Sequence, residues 1–156
     1  MVQTFRTLLL AAAVALGTLA LAVFASAGEF NEADGAAIRG YDAVAYFREN
    51  RPVKGSAEFR HLHKGSTFLF ASAANRDAFA ADADHYAPQY DGYCAFGASR
   101  GYKADVDPAA FSVIADRLYL NYNAKVQRDW LADPPRFIRE ADQRWPETRA
   151  TTKVFR

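Results

Sequence analysis

A single cysteine and three histidines are the side chains of this sequence best suited to bind a soft metal ion. Cys94 lies in segment 86–97, which is rich in aromatic residues and glycine. His61 and His63 are two positions apart, so on a β-strand both imidazoles would project from one face. Copper and zinc prefer thiolate and imidazole ligands. The sequence therefore predicts a metal site, with copper favoured over zinc, whose candidate ligands are Cys94, His61, His63 and His85.

An inert role stays open for each of these residues. Free cysteine is among the most buried residue types, so the sequence is equally compatible with Cys94 as a small part of the core. Arg60 and Lys64 flank the two strand histidines, which is typical of a solvated strand. The spacing of the four candidates also matches no recognised ligand motif.

A second candidate site is a pocket for a small ligand. Such pockets combine apolar walls with a few fixed polar groups. The candidate pocket residues are Tyr41, Asp42, Tyr46, Tyr90, Tyr93, Tyr119, Asn121 and Asn123. The same residue types also describe the core of a small domain, and for Tyr41 and Tyr46 we favour core packing with the hydroxyls at the surface.

Catalysis by Cys94 would need a nearby base or cation that forms the thiolate. No histidine adjoins Cys94 in the sequence, and neither a Gly-x-Ser-x-Gly nor a His-Glu-x-x-His motif is present. The sequence therefore predicts no catalytic residue. A thiol-based enzyme or redox protein that uses Cys94 remains the alternative.

Residues 1–27 have the pattern of a signal peptide. Arg6 precedes an apolar run over 8–25, and Ala25-Ser26-Ala27 supplies a small-residue cleavage site. Cleavage predicts an exported, periplasmic protein in which Cys94 has no second cysteine to pair with. The alternative is an uncleaved membrane anchor, because the run approaches the roughly 18–20 apolar residues that span a bilayer.

The charge balance bears on possible partners. Without residues 1–27, 18 of the 19 basic residues face 18 acidic ones, so the remaining chain is formally neutral. This argues against nucleic-acid binding, which needs a net basic face. The aromatic content of 14% is typical of a folded chain with a packed core.

The first half of the chain is predicted to form a helix, a hairpin and a second helix. Segment 28–37 is small and polar, which indicates a flexible lead. Asp42 is predicted to cap a short helix, and a hairpin with a twist or bulge follows over 58–70. Segment 73–82 then has the composition of a helix that ends before Pro88.

The second half is predicted to cross the domain irregularly before returning to hairpin and helix. Segment 97–101 indicates a flexible run, and Asp107-Pro108 a capped helical turn. The next predicted elements are a hairpin over 112–121, a helix over 124–131 capped by Asn123, a helix over 134–144 stopped by Trp145-Pro146, and a loose tail over 147–156. No internal repeat is apparent. Together these elements predict a small single α+β domain of antiparallel hairpins packed against short helices, with further helices at the C-terminal end.

Several of these segments together resemble the exported bacterial YHS-domain proteins. The motifs that carry the resemblance, over residues 38–146, are Gly40-Tyr41-Asp42-Ala43-Val44-Ala45-Tyr46-Phe47, Phe70-Ala71-Ser72 with Asn75 and Phe79, Tyr86-Ala87-Pro88-Gln89-Tyr90-Asp91-Gly92-Tyr93-Cys94-Ala95, Leu118-Tyr119-Leu120-Asn121-Tyr122-Asn123, and Trp145-Pro146. The resemblance implies a small α+β domain with a hairpin-and-helix core, of a kind found beside metal-transport and oxidoreductase domains.

The same resemblance implies a limit on metal binding. Family members suspected of binding metal have one cysteine after the phenylalanine of the second strand and another four positions on. Here those positions are Ala71 and Asn75, so this chain lacks that dithiol. Cys94 remains, in a Gly-Tyr-Cys motif of this subfamily.

We therefore expect an exported YHS-type binding module without turnover, which takes a metal ion or a small ligand in a pocket lined by Cys94 and tyrosines. A structural or assembly partner in the cell envelope is a further alternative. We expect no contact with nucleic acid, and contact with a membrane only through an uncleaved N-terminal segment.

Overall fold

A computed structural model describes residues 28–156, and the predicted signal peptide lies outside these residues. The helices are α1 (Ala43–Arg48), α2 (Ala73–Ala81), α3 (Ala83–Tyr86), α4 (Ala95–Ser99), α5 (Ala124–Leu131) and α6 (Pro134–Arg149). The strands are β1 (Glu32–Ala33), β2 (Ala36–Ala37), β3 (Ser56–His63), β4 (Ser66–Phe70), β5 (Lys103–Ala104), β6 (Asp107–Ile114), β7 (Arg117–Asn121) and β8 (Val154–Phe155). The chain is a small α+β domain of antiparallel hairpins and helices, which confirms the predicted fold class. Within the described range, no helix is long and apolar enough to cross a membrane.

The first hairpin follows from its turn and from the alternation of its second strand. Lys64 and Gly65 both have positive φ and join β3 to β4 in a tight turn. In β4, buried and half-buried residues alternate, so one face of the strand enters the core. The pairing register shifts between Ser56 and Arg60, which is the predicted bulge.

Each main helix starts at a side chain that bonds its free backbone N–H groups. Asp42 caps α1, Ser72 caps α2 and Asn123 caps α5. The prediction of Asp42 and Asn123 as caps is therefore confirmed. These caps satisfy donors that the first turn of a helix leaves unpaired.

The second half of the fold, from Gln89 to Leu131, repeats the arrangement of the first half, from Ile38 to Ala81, although no repeat was apparent in the sequence. Strands β6 and β7 begin and end 51 positions after β3 and β4, and even the shift in register recurs between Asp107 and Phe111. Ahead of each hairpin, a left-handed turn leads into a short helix: Ile38–Gly40 into α1, and Gln89–Gly92 into α4. Few of the paired strand positions hold identical residues, and the clearest match in sequence is Gly40-Tyr41-Asp42-Ala43 with Gly92-Tyr93-Cys94-Ala95.

The domain has two hydrophobic cores, of which the larger combines residues of both halves and the smaller lies between the second half and α6. The larger one contains the stacked rings of Phe68, Phe70 and Phe79, together with Cys94. The smaller one is built on Trp130 and on the residues that pack beneath α6. Helix α4 contacts α5, α6 and β7, so the smaller core holds α4 in place.

The lead over 28–37 is ordered, contrary to the prediction. Phe30 is buried, and its backbone N–H donates to Ser66 Oγ at 3.1 Å. The side-chain amide of Asn31 donates to Gly92 O at 3.3 Å and to Asp105 Oδ1 at 3.1 Å. Polarity in this segment reflects hydrogen bonds to the domain rather than solvation.

Two predictions for residues 97–111 are also wrong. The supposed flexible run overlaps α4, where a Cβ at Gly97 would make a tight contact, 3.1 Å from Tyr102 O. Asp107 and Pro108 open strand β6 instead of a helical turn. Pro108 falls in the bulge, where a missing N–H breaks no ladder hydrogen bond.

The C-terminal end is longer and more firmly held than predicted. Helix α6 passes through Pro146 to Arg149, whose Nε donates to Asp91 Oδ2 at 2.7 Å. Thr148 is buried, so the last turn is packed as well as ion-paired. The predicted loose tail forms β8, which pairs in parallel with β5.

Candidate functional site

Cys94 is the N-terminal cap of α4 and lies at the base of a cavity. Its sulfur accepts the backbone N–H of Gly97 at 3.4 Å and lies 3.6 Å from the side-chain oxygen of Asn121. That oxygen also accepts the backbone N–H of Phe96 at 3.2 Å. The predicted pocket residue Asn121 therefore does contact Cys94, and both are buried.

Burial keeps the Cys94 thiol protonated. Desolvation raises the pKa of Cys94 above its usual value, and the backbone N–H groups of Gly97, Tyr122 and Phe96 offset only part of this effect. A nucleophilic or metal-binding cysteine needs the thiolate. At neutral pH this side chain is a neutral, hydrogen-bonded thiol.

The cavity above Cys94 has a volume of about 380 Å³ and aromatic walls. Its lining residues are Cys94, Phe96, Tyr102, Ala104, Tyr122, Val126 and Phe155. None of these side chains carries a formal charge at neutral pH. Five large apolar side chains are exposed within residues 28–156, and three of them line this cavity: Tyr102, Tyr122 and Phe155.

Cations lie over two of the aromatic rings that line the cavity, those of Phe96 and Phe155. The guanidinium of Arg100 lies 5.1 Å from the ring centroid of Phe96. The ammonium of Lys153 lies 4.8 Å from that of Phe155. These contacts hold the rings in position and leave the cavity itself apolar.

A polar cavity of about 430 Å³ adjoins the apolar one and shares Tyr122 with it. Its charged lining includes Arg39, which pairs with the buried carboxylate of Asp105. Arg39 Nε also donates to Val106 O at 3.1 Å. The two cavities therefore differ in chemistry across the ring of Tyr122.

Asp42 is buried in a closed network and does not line either cavity. Its Oδ1 accepts the backbone N–H groups of Val44 and Ala45 at 2.8 Å and 3.1 Å. Its Oδ2 accepts Ala71 N at 2.8 Å and the Asn75 amide at 2.7 Å. Asp42 is therefore a structural cap rather than the pocket residue that the sequence predicted.

The predicted pocket tyrosines belong to the cores. The Tyr46 hydroxyl is buried and donates to Pro108 O at 3.0 Å, so the expectation of a surface hydroxyl is wrong. The Tyr90 hydroxyl donates to Asp142 Oδ1 at 3.0 Å, and Tyr119 stacks on Trp130. Desolvation raises the pKa of both Tyr46 and Tyr90, as expected of phenols inside a core.

The remaining predicted pocket residues also lie outside the Cys94 cavity. Tyr41 is half-buried beneath the ammonium of Lys54, at 4.7 Å from the ring centroid. Tyr93 packs against Trp145. Asn123 uses its side-chain oxygen to accept Val126 N at 2.9 Å, which caps α5.

The histidines lie among other aromatic side chains. His61 and His63 both pack edge-on against Phe79. His63 Nε2 is 3.5 Å from Asp84 Oδ1, but burial lowers the pKa of His63 and Lys64 lowers it further. His85 packs at a tilt against Phe47 and edge-on against Tyr86, and its Nδ1 lies 3.5 Å from Asp116 Oδ2.

The four predicted metal ligands do not come together. Across residues 28–156, no group of three or more His, Cys, Asp or Glu side chains is arranged to hold a metal ion. The reason is topological: the histidines are on β3 and α3, while Cys94 caps α4 beneath a cavity without imidazole. The prediction of one site made of Cys94, His61, His63 and His85 is wrong.

Sequence reasoning missed most of the cavity wall. Tyr122 and Tyr102 are large aromatic residues next to turns, which is a usable signal. Phe155 offered no such signal in the sequence, because its position at the cavity depends on the pairing of β8 with β5. Val126 lies within the predicted helix over 124–131 and was not among the candidate pocket residues.

Comparisons with known proteins returned no match: no family model, no curated protein and no solved structure matches this chain.

Proposed function

We propose that this domain is a non-catalytic binding module of the YHS type, which takes a small, uncharged and largely apolar ligand in the Cys94 cavity. The observation that carries the proposal is the gathering of three exposed aromatic side chains, Tyr102, Tyr122 and Phe155, around one cavity. Exposed apolar surface costs free energy in water, and its concentration at a concave site is typical of ligand binding.

The chemistry of the lining favours an uncharged ligand. The cavity wall consists of aromatic and aliphatic side chains, and its polar side-chain groups are the Cys94 thiol and the hydroxyls of Tyr102 and Tyr122. The Cys94 thiol already has protein partners, Gly97 N–H and the Asn121 oxygen. A charged group would lose hydration in this cavity, and no lining side chain carries a formal charge that could pair with it.

The same features speak against a thiol enzyme. Burial raises the pKa of Cys94, and no histidine is among the residues that line its cavity. Thiol nucleophiles depend on a lowered pKa or an adjacent base. The geometry therefore supports binding without turnover.

The copper version of the hypothesis has weaker support. Cys94 offers one sulfur, and the candidate imidazoles belong to other elements of the described chain. Soft-metal sites in proteins usually combine several thiolate or imidazole ligands. We place the module outside the cytosol on the pattern of residues 1–27, which N-terminal sequencing of the secreted protein would test.

A titration with N-phenyl-1-naphthylamine, an uncharged aromatic probe, tests the proposal. We expect saturable fluorescence enhancement with one site per chain, and at least a fivefold weaker affinity for Tyr122→Ala and Phe155→Ala. Leu131→Ala is the matched control, because Leu131 is an exposed apolar side chain away from the cavity. Equal affinity of all four proteins for the probe would overturn the proposal.

A parallel titration with Cu(I) and Zn(II) separates the metal version from the small-ligand version. We expect only weak uptake that Cys94→Ser leaves unchanged. Tight uptake of one ion per chain that Cys94→Ser abolishes would replace the proposed ligand with a metal.

A further inference from the structure

Asp42 and Cys94 occupy equivalent places in the two halves of the fold. Each follows a left-handed glycine and an extended tyrosine; the glycines, Gly40 and Gly92, both have φ of 75°. Each is followed by the first alanine of a short helix and bonds a backbone N–H of that helix. The carboxylate and the thiol are thus alternative caps at one structural position.

A second backbone contact extends the equivalence beyond the cap. The residue after β4 bonds the first cap: Ala71 N donates to Asp42 Oδ2 at 2.8 Å. Tyr122 follows β7 as Ala71 follows β4 and lines the cavity with Cys94, where its backbone N–H acts to lower the pKa of the thiol. The residue after the hairpin therefore lies beside the cap in both halves.

The halves differ at the next layer of side chains. Three positions after the caps of α2 and α5 stand Asn75 and Val126. The Asn75 amide bonds Asp42 at 2.7 Å and in turn accepts Arg48 Nη1 at 2.9 Å. Val126 has no polar group and lines the cavity together with Cys94.

The arginine at the position equivalent to Arg48 makes different contacts in the second half. Arg48 is the last residue of α1, and Arg100 follows the last residue of α4 at the equivalent position. Arg48 bonds Asn75, whereas Arg100 lies over the rings of Phe96 and Phe137. No amide stands at position 126 to accept its guanidinium.

We propose that the Cys94 cavity in the second half is equivalent in position to the space that the Asp42–Asn75–Arg48 network fills in the first half. Cys94 and Val126 are the two residues that keep it open, and Val126 sets its preference for an apolar occupant. The part of this inference that concerns a ligand rests on the proposed function. The part that concerns the two residues does not require any ligand.

A double-mutant cycle tests the equivalence without a ligand. Cys94→Asp alone buries a carboxylate next to the Asn121 side-chain oxygen, with no amide at position 126 to bond it, and we expect its melting temperature to fall by roughly 10 °C. Val126→Asn alone places an unpaired amide at a half-buried position and lowers it by roughly 5 °C. In the double variant the new amide can bond the new carboxylate, as Asn75 bonds Asp42, so we expect at least half of the summed loss to be recovered.

Val126→Ala is the control, because it shortens the same side chain without supplying a hydrogen-bond donor. The decrease in melting temperature that Val126→Ala causes should simply add to the decrease that Cys94→Asp causes. Simple additivity of Val126→Asn and Cys94→Asp would overturn the equivalence. If the single and double variants that carry Cys94→Asp both fail to fold, the reciprocal cycle of Asp42→Cys and Asn75→Val in the first half decides the question by the same criterion.

Probe binding then distinguishes the two proposals. If N-phenyl-1-naphthylamine binds the wild type, we expect the folded double variant to bind at least tenfold more weakly, because the side chain at 126 is now drawn onto residue 94. Unchanged affinity would contradict the assignment of Val126. If the wild type binds no probe, the proposed function fails, whereas coupling between the two substitutions still decides the structural inference.

Discussion

The two halves of this domain use one backbone arrangement for opposite purposes. In the first half, a carboxylate caps α1 and is sealed by the Asn75 amide. In the second, a thiol caps α4 and an apolar cavity lies where the amide would be. The comparison teaches that the chemistry of the cap and of one residue on the facing helix decides whether this meeting point is filled by the protein or open to a ligand.

The largest effect should come from removing the sealed cap. Asp42→Ala leaves the N–H groups of Val44, Ala45 and Ala71 and the amide of Asn75 without their acceptor. We expect a loss of about 3–5 kcal/mol in the free energy of unfolding, measured by urea denaturation. Asp42→Asn, which keeps one acceptor oxygen, should lose less.

The thiol cap should matter much less to stability. Cys94→Ala removes a weak acceptor and a small buried side chain, and we expect a loss of about 1–2 kcal/mol in the same assay. A loss as large as that of Asp42→Ala would break the comparison, because Cys94 would then be as structural as Asp42.

A third prediction concerns the alkaline side of stability. Burial raises the pKa of the Cys94 thiol above its unfolded value, so the folded state holds its proton more tightly. This contribution is complete below the unfolded pKa near 9.0 and is lost as the pH rises from there towards the folded pKa. The melting temperature of the wild type should therefore fall more steeply between pH 8 and about pH 10 than that of Cys94→Ala. Parallel curves would show that the thiol ionises as freely in the folded protein as in the unfolded one.

The smallest effect is expected in the first half, on the acid side. Burial lowers the pKa of His63, so the unfolded state takes up a proton more readily than the folded state. Stability from this group is complete above the unfolded pKa of 6.5 and is lost as the pH falls through the folded pKa. His63→Phe should flatten the melting-temperature profile below about pH 6.5 relative to the wild type. An unchanged profile would show that protonation of His63 does not contribute to the loss of stability at acid pH.

Local signals were enough to predict much of the fold. Asp42 and Asn123 were identifiable as caps because a short polar side chain ahead of an apolar turn satisfies free N–H groups locally. The Lys64-Gly65 turn was predictable from a signal that is equally local in the sequence. The continuation of α6 through Pro146 could not be predicted from local signals, because Arg149 at the end of the helix pairs with Asp91 and Glu29, which are distant in sequence.

The site was harder to predict than the fold. Cys94 was identified as its centre, and Asn121 as a neighbour, but the walls come from segments distant in sequence. Phe155 reaches the cavity only because β8 pairs with β5. The structural repeat was not predicted because the paired strands share few residues and the common Gly-Tyr-x-Ala motif is short, with different residues, Asp42 and Cys94, at its variable position.

The most direct test of the account is a map of amide shifts in ¹⁵N-labelled protein during titration with N-phenyl-1-naphthylamine. We predict shifts at the amides of Phe96, Gly97, Tyr122 and Val126, while their first-half counterparts, Val44, Ala45, Ala71 and Asn75, stay unchanged. Equal shifts in both halves, or shifts confined to the exposed surface around Leu62, would contradict the claim that only the second half is open to a ligand.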